Sequence, residues 1–162
     1  MRMIRAYIQA DGRDPPLTES AAIRASVRSE PTGTKRVFMS HKTGDYPQAF
    51  TVGNKLSRFG LSVYFVHDDP DVAPGDRDQL PSEVKSAMRH SNGLLVYASD
   101  NLVDLDASWV CFEVGLAEMR SMVTARYTVT NRSRRLLSPL RGLERVEKNL
   151  GVWANKVKRS KS

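Results

Sequence analysis

The fold of this chain is decided by three short apolar runs: KRVFMSH at residues 35–41, LSVYFV at residues 61–66 and NGLLVYAS at residues 92–99. Runs of this length that are rich in β-branched and aromatic residues predict strands. The third run is the most continuous, and we expect it to be central in the sheet. Segments with helical spacing separate the runs, so the sequence predicts an α/β fold with a parallel sheet flanked by helices.

The segments between the strands carry helix signals. Residues 46–59 place apolar side chains at helical spacing and stop before Gly60, a residue favoured at helix ends. Asp45 is expected to cap this helix, and Pro47 is tolerated in its first turn. A second helix is expected over residues 80–90. The pattern therefore supplies one helix for each crossover between parallel strands.

Composition limits the chain to one domain with at most an appendage. It has 162 residues, of which 40% are hydrophobic and 27% charged. The apolar patch at residues 1–8 contains Arg2 and Arg5, too much charge for a signal peptide, and no run approaches the roughly 18 apolar residues of a membrane span. The single cysteine, Cys111, excludes an intramolecular disulfide. We expect a cytoplasmic protein.

The positive charge is concentrated at one end. Residues 1–119 hold 13 Lys and Arg against 16 Asp and Glu, whereas residues 120–162 hold 12 against 2. A basic end of this kind suits nucleic acid, anionic lipid or an acidic partner, or serves only solubility. Nucleic acid is disfavoured because Trp153 is the only aromatic side chain within residues 131–162 that is available for stacking on bases.

The basic segment also carries an apolar stripe, which predicts one amphipathic helix buried against the sheet or a second copy. The stripe consists of Leu136, Leu140, Leu143, Val146, Leu150, Trp153 and Val157. The chain is thus divided into an N-terminal arm (residues 1–34), an α/β domain (residues 35–130) and a basic C-terminal helix and tail (residues 131–162).

Ligands of parallel α/β sheets bind beyond the carboxyl ends of the strands. Here these are the loops that start at Ser40, His67 and Ser99. The loop after the first strand has neither a GxGxxG nor a Walker A pattern, which disfavours a dinucleotide held in the Rossmann manner. The acidic loop at residues 67–79 has five aspartates without the calcium-binding EF-hand spacing, and one cysteine with three histidines makes no metal site.

Glu113 is the candidate for chemistry. On a helical wheel it falls within the arc of Trp109, Phe112, Leu116 and Ala117, which is an apolar arc. A carboxylate on a core-facing arc must be paired, hydrogen-bonded or neutral, because an unpaired buried charge is very costly. Carboxylates in such positions are often functional.

A structural ion pair is the alternative for this carboxylate. Arg120 lies two turns further on at nearly the same bearing, and Arg89, Lys42 or His41 could also satisfy Glu113. From the spacing alone both interpretations stay open.

Four stretches resemble the bacterial TIR (Toll/interleukin-1 receptor) and TIR-like domains, including those of Thoeris-type anti-phage systems. They are residues 37–42 with Asp45, residues 80–91, residues 93–99, and Ser108-Trp109-Val110-Cys111-Phe112-Glu113. Their order and spacing cover residues 35–120. The resemblance implies a flavodoxin-like TIR fold with Glu113 as the catalytic residue of an NAD+ glycohydrolase or cyclase, producing ADP-ribose or a cyclic ADP-ribose signal in anti-phage defence.

The resemblance also implies the surroundings of Glu113. NAD+ is the substrate, with no cofactor and no metal, and the partners are further copies of the chain and an effector that senses the nucleotide product. The candidate substrate-binding residues are Ser40, His41, Lys42, Asp45, Asp68, Ser99, Ser108 and Trp109.

The resemblance ends after residue 120. A full TIR domain supplies a fourth strand, a helix and a fifth strand, whereas here only residues 125–130 and one helix are expected. Two other functions stay open: a non-catalytic TIR-like interaction module that assembles through the acidic loop, and a nucleoside deoxyribosyltransferase-like enzyme, which also directs a glutamate at a ribosyl centre.

Overall fold

The computed structural model describes residues 33–65, 80–104 and 107–161, without the side chains of residues 80–83. The predicted N-terminal arm, apart from its last two residues, and the acidic loop with Asp68 lie outside the described residues.

A four-stranded parallel sheet forms the centre of the described part of the chain. Its strands are β1 (Arg36–Ser40), β2 (Ser62–Tyr64), β3 (Gly93–Ala98) and β4 (Val123–Thr128), in the order β2-β1-β3-β4. Every residue of β3 is buried, which confirms that the most continuous apolar run is central. The topology is that of a flavodoxin-like sheet, so the predicted fold class is confirmed.

Six helices connect and cover the strands within the described part of the chain: α1 (Tyr46–Arg58), α2 (Leu80–Arg89), α3 (Asp100–Asp104), α4 (Ser108–Met119), α5 (Ser138–Gly142) and α6 (Leu150–Arg159). Pro47 lies in the first turn of α1, and Gly60 beyond its end has a φ of 79°, a backbone conformation that disfavours residues with a Cβ. The sequence did not predict α3, a single short turn directly after β3.

The pleat of the strands divides the core into two layers. Alternate residues such as Met39 and Leu95 pack with α1 and α6 on one face of the sheet. Phe38 and Val96 pack with α2, α4 and α5 on the other face. Because side chains alternate along each strand, the one buried sheet supplies both cores.

The C-terminal apolar stripe is buried as predicted, but it does not lie on one helix. All seven side chains of the stripe are at most 8% exposed. Leu140 lies in α5, and Leu150, Trp153 and Val157 lie in α6, whereas the other three side chains of the stripe lie outside both helices. The backbone between α5 and α6 pairs with β4: Arg126 N donates to Glu144 O (2.8 Å) and Val146 N donates to Arg126 O (3.1 Å).

This pairing changes the expected topology. Arg126 and Arg145 form a parallel bridge, so residues 144–146 occupy the fifth position of the sheet. The expectation that the fourth strand would be followed by a helix alone was wrong, since a short helix and a minimal fifth strand precede α6. The pattern of apolar residues could not reveal this strand, because three residues with one inward side chain carry no periodicity.

Candidate functional site

Buried polar side chains gather where β1 and β3 end. Ser40 is the last residue of β1, Ser99 directly follows β3, and both are less than 7% exposed. The two strands are neighbours, and β2 lies on the other side of β1, so the strand order reverses its direction between β1 and β3. This is the switch point at which open parallel sheets bind ligands.

Glu113 reaches this point from α4. Its side chain is 3% exposed, and its Oε2 accepts a hydrogen bond from Ser40 Oγ. The side chain of Trp109, one turn earlier on the same helix, also hydrogen-bonds to Glu113. Of the sequence-predicted site residues, Ser40, Trp109 and Glu113 are therefore brought together.

The environment of Glu113 favours its protonated form. Burial raises the pKa of this carboxyl from 4.5 to about 7, against the opposing effect of the hydrogen bonds from Ser40 and Trp109. The group therefore titrates near neutral pH, in a place where a carboxylate has been separated from water. Such a combination is a recognised mark of a functional site.

The structural ion pair considered for Glu113 is not present in the described residues. The Arg120 guanidinium donates through Nη2 to Arg89 O (3.4 Å) instead. Besides burial, the groups that change the pKa of Glu113 among the residues that the structure describes are the neutral side chains of Ser40 and Trp109. The buried carboxyl is satisfied by neutral donors instead. Such donors leave its charge uncompensated, whereas an ion pair would hold the carboxylate permanently ionised.

The prediction that Glu113 faces the core is confirmed, but the buried face of α4 includes other residues than the helical wheel predicted. The buried face of α4 consists of Val110, Glu113, Val114 and Ala117, whereas Phe112 is 37% exposed. Glu113 is thus at the margin of the buried face, beside the half-buried Trp109. Which residues of α4 are buried depends on how the helix docks on the sheet. The sequence does not determine this docking, because nearly every residue of the helix is apolar.

Asp45 forms a second buried group beside the first. Its Oδ2 accepts from Ser99 Oγ (2.5 Å) and its Oδ1 accepts from Asn101 Nδ2 (2.7 Å). The predicted role as a helix cap was wrong, since the Asp45 side chain makes no capping bond to α1. Two donors from the far side of the switch point outcompete the local backbone, and this fixes the loop after β1 to the loop after β3.

Asn101 and Tyr97 belong to this group and were not predicted. Tyr97 is 6% exposed; burial raises its pKa, and so does the nearby carboxylate of Asp45. Asn101 could have been found from the sequence, because it lies two residues after Ser99 in the same carboxyl-end loop. The sequence could not predict Tyr97 as a site residue, because it lies within the continuous apolar run of the central strand.

The remaining predicted residues are spread around the rim. The His41 ring lies 5.7 Å from the rings of both Tyr46 and Phe65, with Nδ1 3.3 Å from Met39 O. Lys42 is half-buried, and its carbonyl accepts from Asp45 N (2.8 Å). Ser108 begins α4 and is exposed.

The described residues contain no group of three or more His, Cys, Asp or Glu side chains able to hold a metal ion. Among the helices of the same residues, none is long and apolar enough to cross a membrane.

Comparison with known proteins gives a match at the level of structure. No protein-family model and no curated protein sequence matches the chain. A metazoan TIR-STING receptor from C. gigas superposes with a TM-score of 0.55 at 19% sequence identity, over 78% of this chain and 41% of the receptor chain. The TIR domains of the activated Roq1 resistosome match at a TM-score of 0.43 and 22% identity, over 65% of this chain and 66% of that one. The matched region thus spans less than half of the TIR-STING receptor, and at this identity the first likeness establishes shape alone: the chain has a TIR-like, flavodoxin-like α/β fold.

Proposed function

We propose that the chain is a TIR-type NAD+ nucleosidase in which Glu113 is the catalytic residue. The observation that carries this proposal is a carboxyl group that is 3% exposed, has a pKa raised to about 7 and lies at the ligand-binding switch point of the sheet. TIR enzymes of the kind that the sequence motif resembles cleave the nicotinamide–ribose bond of NAD+.

One carboxylate is sufficient for this reaction. Nicotinamide in NAD+ is a cationic pyridinium that departs as a neutral molecule, so no general acid is needed, unlike the sugar leaving groups of ordinary glycosidases. The enzyme must stabilise the positive charge that develops on the ribose. A carboxylate held in place and shielded from water does this without reorganising solvent.

The raised pKa of Glu113 suits a cationic substrate. Its neutral donors, Ser40 and Trp109, orient the carboxyl but do not compensate its charge. A bound pyridinium favours the ionised form and would lower the pKa, so substrate binding itself would charge the catalytic group. An ion pair with an arginine would have removed this property.

Asp45 is proposed to shape the site indirectly. Because Ser99 and Asn101 already occupy both of its oxygens, it is suited to positioning the loop after β1, which carries His41 and Lys42, around the ribose and the diphosphate. Capture of the ribosyl intermediate by water would give ADP-ribose, and capture by an adenine nitrogen would give a cyclic product. A cyclic product sensed by an effector in anti-phage defence is the biological role that the motif resemblance supports.

Substitution of the carboxyl by an amide tests the catalytic proposal. Glu113→Gln is expected to lower nicotinamide release from NAD+ by at least ~100-fold, the scale of losing one electrostatic group of the transition state. Glu118→Gln is the matched control, since Glu118 is exposed on the same helix. Full turnover in a folded Glu113→Gln protein would refute the assignment.

The two alternative functions are decided in the same assay. Incubation with NAD+ and, separately, with a deoxynucleoside plus a free base, followed by chromatography, distinguishes them. Base exchange without nicotinamide release would identify a deoxyribosyltransferase-like enzyme. If neither nicotinamide release nor base exchange is detected at high protein concentration, the remaining function is that of a non-catalytic interaction module.

We also propose that copies of the chain associate through opposite charges. The sequence up to residue 119 has a balance of −3 and the remainder one of +10, so association is expected to weaken as salt rises above ~0.15 M, where the screening length is about 8 Å. Light scattering over a concentration series measures this. A monomer at every concentration in low salt would contradict the proposal.

A further inference from the structure

Arg126 and Thr128 are buried without the partners that such side chains require. Both are 7% exposed and lie on β4. Within the described part of the chain, Arg126 Nε, Arg126 Nη1 and Thr128 Oγ1 have no hydrogen-bond partner. Burying two guanidinium nitrogens and a hydroxyl without hydrogen bonds costs several kcal/mol, so folded proteins retain such groups where a ligand or a function compensates the cost.

The strand register aligns this pair with the candidate catalytic site. Ser40 pairs with Val96 and Val96 pairs with Arg126, so the three side chains form one row across the sheet. They face the layer that contains α4, the helix of Glu113. Two strand spacings, about 9.5 Å, separate the backbone of Ser40 from that of Arg126.

The local charge favours an anion. Arg145, the bridge partner of Arg126, donates through Nε to Glu147 Oε1 (2.8 Å), and Glu147 Oε2 accepts from Thr128 N (3.4 Å). One carboxylate therefore faces two guanidinium groups and is already bound to Arg145. Burial lowers the pKa of Arg126, and the charge of Arg145 lowers it further, while Glu147 opposes this. A bound anion would stabilise the positive charge that these two effects disfavour.

We propose that Arg126 and Thr128 form a binding site for a phosphate or diphosphate group. Phosphate oxygens accept the guanidinium and hydroxyl donors that now lack partners, and arginine is the side chain best suited to several such contacts at once. The source of the phosphate is either the nucleotide whose glycosidic bond lies at Glu113 or a separate anion. The first source rests on the proposed NAD+ chemistry, whereas the site itself does not.

Thermal unfolding with pyrophosphate tests the site without any turnover. Pyrophosphate at 5 mM is expected to raise the Tm of the full chain by at least about 3 °C relative to sodium chloride of equal ionic strength. Arg126→Met should abolish this rise, and Thr128→Val, which removes only the hydroxyl, should at least halve it. Arg159→Met is the control, because Arg159 is an exposed cation in the last turn of α6, and it should keep the full rise.

The stability of the free variant distinguishes a ligand site from a structural arginine. Without pyrophosphate, Arg126→Met is expected to melt no lower than the wild type, since it removes a buried guanidinium of which two nitrogens lack hydrogen-bond partners. Arg126→Lys and Thr128→Val carry the test if the methionine variant does not fold. A wild type that pyrophosphate does not stabilise, or variants that keep its full effect, would overturn the proposal.

Substrate comparison identifies the source of the phosphate. If the site holds the phosphate of the substrate, Arg126→Met should raise KM at least ~10-fold for NAD+ and leave nicotinamide riboside, which has no phosphate, unchanged. Equal effects on both substrates, together with loss of the pyrophosphate effect, assign a separate anion; either result supports the site. If neither compound is cleaved, the proposed function fails, and the pyrophosphate measurement still decides this inference.

Discussion

Replacing Glu113 by glutamine should stabilise the protein at neutral and alkaline pH. The pKa of the Glu113 carboxyl is about 7 in the folded protein, whereas its ordinary value is 4.5. The native state therefore binds more protons than the unfolded state between these values, and the free energy of unfolding falls as pH rises from about 4.5 to about 7 and then stays level. At about 1.4 kcal/mol for each pKa unit, the whole fall is about 3 kcal/mol.

The Glu113→Gln variant lacks this fall, because an amide does not ionise, while its carbonyl oxygen can still accept the hydrogen bond from Ser40. The variant and the wild type should have similar stabilities at pH 4.5, and the variant should be more stable by about 3 kcal/mol at pH 8. That difference corresponds to about 6–12 °C in Tm for a chain of this size. Urea unfolding at pH 5, 6, 7 and 8 measures it directly.

Glu118→Gln provides the control for a general effect of losing a negative charge on α4, since Glu118 is exposed. Its stability should follow that of the wild type at every pH. The reasoning is refuted if wild type and Glu113→Gln show the same dependence on pH. A more stable and inactive variant is the expected signature of a group kept for catalysis at the expense of stability.

Two further predictions concern activity and packing. The kcat/KM of NAD+ cleavage should rise with pH through about 7 and then level off, because the ionised form of Glu113 is the active one; a profile that is flat from pH 5 to 8 would contradict this. Trp153→Ala should lower the free energy of unfolding by about 3–5 kcal/mol, since the Trp153 side chain is 0% exposed between α6 and the sheet. Val152→Ala, next to it but 59% exposed, should change it by less than about 0.5 kcal/mol, and equal effects in urea unfolding would show that α6 does not pack as described.

The alternation of strands and helices up to residue 119 could be predicted because each element is specified locally. β3 is apolar throughout, and Gly60 ends α1 with a backbone conformation that suits glycine. The position of Glu113 on a helix after the third strand followed from the same local signals. The motif resemblance assigned its catalytic role.

The errors lie where distant contacts outcompete local ones. Aspartate is a common N-cap residue, but the carboxylate of Asp45 accepts hydrogen bonds from Ser99 and Asn101, more than 50 residues away, instead. The C-terminal stripe has helical spacing throughout, yet residues 144–146 pair with β4 as a short strand. The sequence could not predict that Arg126 Nε and Nη1 lack hydrogen-bond partners, because this depends on which groups surround the side chain in the folded protein.

The placement of α6 has a consequence for biosynthesis. Its residues Trp153 and Val157 complete the core that covers one whole face of the sheet, including Met39 and Leu95. A ribosome that adds about 5–20 residues per second needs roughly 1.5–6 seconds to pass from the end of β4 to residue 157. During that interval α1 alone covers this apolar face of the nascent sheet, so we expect the protein to reach its native state only after α6 has emerged from the exit tunnel.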